Sequence, residues 1–138
     1  MIDRSIIPTR GSGEDSGSVV RRGTLRNLDA ARIEILRSLD AFAPVADIFL
    51  EDAPQLLETI RRALAAGDVA TAEQTAHRLK GSSANLGAKS LASSFRRLEA
   101  LARDGDPDPC RRELERAEAE YRAVEAELEE LRARREDP

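Results

Sequence analysis

Residues 114–131, LERAEAEYRAVEAELEEL, decide the fold class. Leu114, Ala117, Tyr121, Val124, Leu128 and Leu131 recur at spacings of 3, 4, 3, 4 and 3. That spacing draws one continuous apolar seam along a helix. The positions between are mostly Glu, Arg and Ala, which favour helix. Glu118/Arg122 and Glu130/Arg134 stand at i,i+4 and are expected to add about 0.2–0.5 kcal/mol each. The composition agrees: 22 Ala and 16 Leu stand among 138 residues, while aromatics make up only 3%. Helix formers are plentiful and strand formers scarce, so the chain is expected to be all-α. Its length is that of one domain.

Outward from the seam, punctuation divides the chain. Asp104-Gly105-Asp106-Pro107 is a break, and Asp108-Pro109 reads as the cap and first residue of the seam helix. Before the break, 89–103 places Leu91, Phe95, Leu98, Leu101 and Ala102 on one side of a helix. Gly87 stops a helix over 69–86, and Gly67-Asp68 reads as a stop followed by an N-cap. A longer helix is expected over 44–66, with Val45, Ile48, Phe49, Leu56, Leu57, Ile60 and Leu64 in its stripe. Pro54 lies inside it and must kink or divide it. Glu51-Asp52 reads as helix surface or cap. A short helix over 28–39 comes first. Short loops between long helices imply antiparallel neighbours. The expected architecture is an antiparallel up-down four-helix bundle with a short additional N-terminal helix, over 27–135. Residues 1–26, with Pro8, Gly11, Gly13, Gly17 and Gly23 among Ser and Thr, read as a flexible tail or linker.

Charge and residue inventory exclude several functions. The net charge is −4 and no segment has a dense basic face, while stacking aromatics are almost absent. Nucleic-acid binding is therefore not expected. A single cysteine, Cys110, and a single histidine, His77, make neither an internal disulfide nor a zinc site of the usual ligand count. The longest apolar run, 41–46, is far short of the ~20 residues of a membrane span. No apolar signal core follows the start. A cytoplasmic chain that does not itself enter a membrane is expected.

On a wheel of 69–86, Val69, Ala72, Ala76, Leu79, Ser83 and Leu86 cluster on one side. His77 falls about 130° from the centre of that stripe and faces solvent. Ala70, Gln74, Gly81 and Ala84 share its side, with Glu73 and Lys80 flanking. A glycine inside a helix costs about 1 kcal/mol relative to alanine. Gly81, one turn beyond His77, clears space beside the ring. Lys80 reaches the same volume with a charge suited to a phosphoryl group. Imidazole is a good nucleophile near neutral pH. The same Gly81-Ser82-Ser83 run also reads as a tight helix crossing. Ser82 or Ser83 has no acid/base partner at a readable spacing, which argues against a hydrolase.

His77-Arg78-Leu79-Lys80-Gly81-Ser82-Ser83-Ala84-Asn85-Leu86-Gly87-Ala88 resembles the signature of histidine-containing phosphotransfer (HPt) domains. That signature is H-x-L-K-G-S-S-x-x-L-G-A, and every defined position matches. Phe49-Leu50-Glu51-Asp52-Ala53-Pro54 and Phe95-Arg96-Arg97-Leu98-Glu99 are similar to the family's flanking helices. The resemblance spans about residues 27–135. It implies a four-helix bundle that relays phosphoryl groups in a multistep two-component phosphorelay. His77 would accept phosphate through Nε2 from an aspartyl-phosphate on a receiver domain and pass it to a response regulator. Lys80 would offset the phosphoryl charge and Gly81 would keep the ring accessible. Ala70, Glu73, Gln74 and Ala84 would meet the partner. Pro54 would kink the helix rather than divide it. Some members hydrogen-bond the imidazole through a glutamine of the neighbouring helix; no equivalent is located here.

The expected partners are receiver domains and a hybrid sensor histidine kinase; where the domain ends such a kinase, residues 1–26 are the linker to an upstream receiver. No cofactor is expected on this chain, because receivers bring their own acidic pocket and Mg²⁺. With no Gly-rich nucleotide loop, the chain is expected to be a phosphocarrier rather than an enzyme. The alternative is a non-phosphorylated helical adaptor that binds receivers. The 114–131 seam also suits a coiled-coil dimer, but it is more economically used inside a monomeric bundle.

Overall fold

The computed structural model describes residues 25–136. Among the described residues five helices follow one another: α1 Ala30–Ser38, α2 Phe42–Ala65, α3 Val69–Asn85, α4 Lys89–Asp104 and α5 Pro107–Glu136. No strand occurs among the described residues. No described helix is long and apolar enough to cross a membrane. α2 packs against α3, α3 against α4, α4 against α5, and α5 back against α2, while α1 leans on α2.

The seam of α5 does what its spacing requires. Leu114, Ala117, Tyr121, Val124, Leu128 and Leu131 are all buried, and Tyr121 meets Phe49 of α2 with ring centroids 5.8 Å apart. They join Phe42, Ile60, Leu64, Leu79, Leu86, Leu91, Phe95 and Leu98 in one core. Burying a side chain of this size stabilises by about 1.5–3 kcal/mol.

Two local expectations need correction. α5 starts at Pro107, not at Pro109. Asp106 accepts the Asp108 backbone N–H at 3.0 Å, so Asp106-Pro107 is the cap and first residue. Pro109 then lies in the first turn, where a missing N–H forfeits no helical bond. Glu130 and Arg134 do pair, at 3.3 Å. Glu118, however, pairs with Arg61 across the α2–α5 contact rather than with Arg122.

Pro54 does not divide α2, which runs unbroken from Phe42 to Ala65. Its ring sits on the exposed side, while neighbouring Ala53 and nearby Leu57 are buried and hold both halves to the core.

The loop after α3 fixes one end of the site-bearing helix. Gly87 has φ +80°, and a Cβ there would lie 2.9 Å from the Arg32 Cβ. Both the left-handed backbone and the close approach demand glycine. The Asp29 N–H donates to the Gly87 carbonyl at 2.9 Å, and Arg32 Nε donates to the Asn85 carbonyl at 2.9 Å. The stop of α3 is thus the seat of α1. Just upstream, the Arg26 N–H donates to the Glu127 carboxylate at 2.7 Å, and Leu25 packs on the core. Both residues thus contact the packed helices. The remainder of the tail reading, residues 1–24, lies outside the described residues.

Candidate functional site

α3 presents the site because its start and its buried face are both fixed. Asp68 caps it, accepting from the Thr71 N–H at 3.1 Å and the Thr71 hydroxyl at 2.7 Å. Those bonds hold the Asp68 carboxyl below its usual range. Ala72, Thr75, Ala76, Leu79 and Ser83 form the buried face. With that face turned inward, His77 faces out, its side chain 64% exposed. Ala70, Gln74, Gly81 and Ala84 are exposed on the same helix, and Glu73 and Lys80 are half-buried. The structure therefore places these residues as the wheel expects.

A buried carboxylate from the neighbouring helix organises the ring. Glu99 of α4, only 8% exposed, brings Oε2 to 3.0 Å from His77 Nδ1. Its Oε1 accepts from Lys80 Nζ at 2.9 Å. Arg103 donates to the same Oε2 at 3.3 Å through Nη2, and through Nε to Glu73 at 2.9 Å. The Lys80 ammonium, and after it the His77 ring, hold the Glu99 carboxyl below the usual carboxylate range against the opposing effect of burial. An ionised carboxylate only accepts hydrogen bonds. In the neutral imidazole the proton therefore sits on Nδ1, and the lone pair sits on Nε2. That is the arrangement of a nucleophile aimed away from its own protein.

Sequence reading gave Glu99 no role. The signal was present: Glu99 lies four residues after Phe95, eight after Leu91 and three before Ala102, inside the apolar stripe of α4. A carboxylate on a buried stripe is costly unless it is paired, so it asks for partners.

Gly81 has no internal reason to be glycine. A Cβ built on it meets nothing within 4 Å, and its φ lies in the ordinary helical range. The helix gives up about 1 kcal/mol at this position, for space that the chain itself does not fill.

Ser82 and Asn85 of α3 lead from this face into a groove against α2. Val45, Ile48, Phe49, Asp52, Ala53, Leu56 and Leu79 line the rest of it, and its volume is about 210 Å³. Ile48 is 60% exposed there.

The Hpt domain family model matches residues 44–134. Among solved structures, histidine-containing phosphotransfer protein B (HptB) from Pseudomonas aeruginosa PAO1 is similar, with a TM-score of 0.76 and 31% identity. The match covers 80% of this chain and 98% of that one. No curated protein matches the chain.

Proposed function

The chain belongs to the Hpt domain family, and on that premise we propose that His77 carries phosphoryl groups between aspartyl-phosphate receiver domains. Membership carries the coarse function, histidine phosphotransfer within a two-component phosphorelay. One observation supports the finer reading most strongly. His77 is largely exposed, yet its Nδ1 is held at 3.0 Å by a buried carboxylate, which leaves Nε2 as the nucleophile.

In the forward step, the Nε2 lone pair bonds to the phosphorus of a receiver's aspartyl-phosphate. The P–O bond to that aspartate breaks, and its electron pair leaves on the carboxylate. In the onward step, an aspartate oxygen of the next receiver attacks, and the N–P electron pair returns to Nε2. Both steps depend on alignment and charge neutralisation at a docked interface. Lys80 supplies the positive charge from this side, its ammonium 2.9 Å from Glu99 and 30% exposed. Gly81 leaves the approach to the ring open. The Mg²⁺ belongs to the receiver, and ATP is handled elsewhere in the relay, so this chain serves as a phosphocarrier.

Ala70, Glu73, Gln74 and Ala84 meet the receiver around the ring. The adjoining α2–α3 groove gives the same partner an apolar foothold, since Ser82 joins it to the Gly81 side of the site. The short connections between the four long helices support an up-and-down arrangement. The protein works as a monomer in the cytoplasm, between a hybrid sensor kinase and a response regulator. The test is transfer from a ³²P-labelled receiver domain. Label is expected to move to the wild type and not to His77→Gln; equal labelling of both would overturn the assignment. Binding of the receiver without label transfer would favour the adaptor reading.

A further inference from the structure

We propose that Asp52 selects the receiver: it requires a lysine or arginine on the surface that fills the α2–α3 groove, and it disfavours receivers that bring only apolar or acidic groups there. The proposal rests on the reading of His77 as the acceptor and of the groove as the receiver's foothold.

The groove carries one charge. On α2, Val45, Ile48, Asp52 and Leu56 follow at spacings of 3, 4 and 4, one stripe down its wall. The carboxylate interrupts that stripe, with an apolar residue one turn away on either side. Across the groove, α3 contributes Leu79, Ser82 and Asn85, none of them charged. Asp52 is exposed, and among the described residues neither a cation nor a hydrogen-bond donor reaches its carboxylate. Of the other acids of α2, Asp47 pairs with Arg132 at 2.9 Å and Glu58 with Arg62 at 3.0 Å. Glu51 has no such partner among the described residues, but it lies outside the groove.

In the free chain water solvates the Asp52 carboxylate. A receiver seated in the groove removes that water, and a carboxylate stripped of water without a partner is costly. An apolar receiver surface meets that penalty in full, and an acidic one adds repulsion. A lysine or arginine avoids both. Its methylene stem can lie on Ile48 or Leu56 while its charged head reaches the carboxylate. An arginine fork can hold both carboxylate oxygens at once. The groove thus matches a receiver element that carries one cation between apolar side chains.

Asp52 stands apart from the reacting groups. The His77 ring and the Lys80 ammonium are both bonded to Glu99 of α4, and neither meets Asp52. Its charge therefore acts on which receiver docks and how tightly, while the transfer step itself is left to the groups around the ring. Ser82 joins the groove to the Gly81 side of the site, so a receiver held at Asp52 is held beside the ring.

The test is single-turnover transfer from a ³²P-labelled receiver domain, measured against rising concentration of the full chain. That design separates the half-saturating concentration from the maximal rate. Asp52→Asn is expected to raise the half-saturating concentration about tenfold with the maximal rate unchanged, and Asp52→Lys to raise it about a hundredfold. Glu51→Gln is the control and is expected to match the wild type within about twofold. Added salt should weaken transfer to the wild type more than transfer to Asp52→Asn. Lys→Glu and Arg→Glu substitutions are then made one at a time on the receiver, and one of them is expected to restore transfer to Asp52→Lys. Phosphoramidate should label all four chains alike. A half-saturating concentration in Asp52→Asn at or below that of the wild type overturns the proposal alone. So does an equal loss in Glu51→Gln, a loss confined to the maximal rate or shared by phosphoramidate labelling, or a receiver series in which no reversal restores Asp52→Lys. A wild type labelled by neither donor overturns it together with the reading of His77.

Discussion

Replacing Gly81 by alanine adds a methyl group that, beyond its own turn of helix, meets no heavy atom within 4 Å, so nothing packed against α3 resists it. The residue sits inside α3, four residues before its last residue, Asn85. A glycine-to-alanine change in a helix interior is worth about 0.8–1.0 kcal/mol, all of which should appear as added stability here. For a chain of this size, that raises the melting temperature by about 4 °C. Gly81→Val gives back part of the gain, because a β-branched side chain loses rotamer freedom in a helix. It also projects further over the approach to His77. Transfer from a phosphorylated receiver is expected to fall about tenfold in Gly81→Val, the cost of a modest misplacement of reacting groups. Thermal unfolding followed by circular dichroism, run beside a receiver-transfer assay, measures both. The expected outcome is a fold that gains stability while the function loses rate. A destabilised Gly81→Ala would refute the open space, and an unchanged rate in Gly81→Val would refute its use by the partner.

Other perturbations separate the fold from the site. Gly87→Ala should destabilise by about 1–2 kcal/mol from its left-handed backbone alone, with the 2.9 Å approach to Arg32 adding to it; chemical denaturation would show the loss, and a neutral result would contradict the seat for α1. Ile48→Asp should leave phosphoramidate labelling of His77 intact while weakening receiver transfer at least tenfold, since the 60% exposed side chain contributes to the groove rather than the core. Acid titration of stability should also carry a Glu99 contribution. Its folded carboxyl titrates below the ordinary value of 4.5, so that stability is present above the unfolded value and is lost as pH falls through the folded one. In Glu99→Gln that part of the acid slope should vanish; an identical slope in both proteins would mean that the pairing with Lys80 and His77 contributes nothing to folding.

What could be read from sequence and what could not divides along the range of the interaction. The wheel of α3 needed only local periodicity, and it set His77, Gln74, Gly81 and Ala84 on the exposed side where they lie. Gly67-Asp68 and Gly105 marked helix ends because their signals reside in single residues, with φ of +75° at Gly67 and +100° at Gly105. The start of α5 misled because Asp106-Pro107 and Asp108-Pro109 carry the same local chemistry, and only the hydrogen bond to the Asp106 side chain distinguishes them. Glu118 had two arginines within reach, Arg122 on its own helix and Arg61 on α2, and one-helix spacing does not rank them. Glu99 escaped for the deepest reason. Its meaning depends on the register of α4 against α3, a relation between 22 residues of separation that no single wheel contains. Its place in an apolar stripe was nevertheless a visible anomaly.

The central claim is that His77 is a phosphoryl acceptor, and intact mass tests it without any partner. Wild type and His77→Gln are incubated with phosphoramidate and weighed. One acid-labile, base-stable phosphoryl group is expected on the wild type alone, with the melting temperature of the variant little changed because the ring is 64% exposed. A phosphoryl group of that lability on His77→Gln as well, or on neither protein even with a phosphorylated receiver as donor, would contradict it.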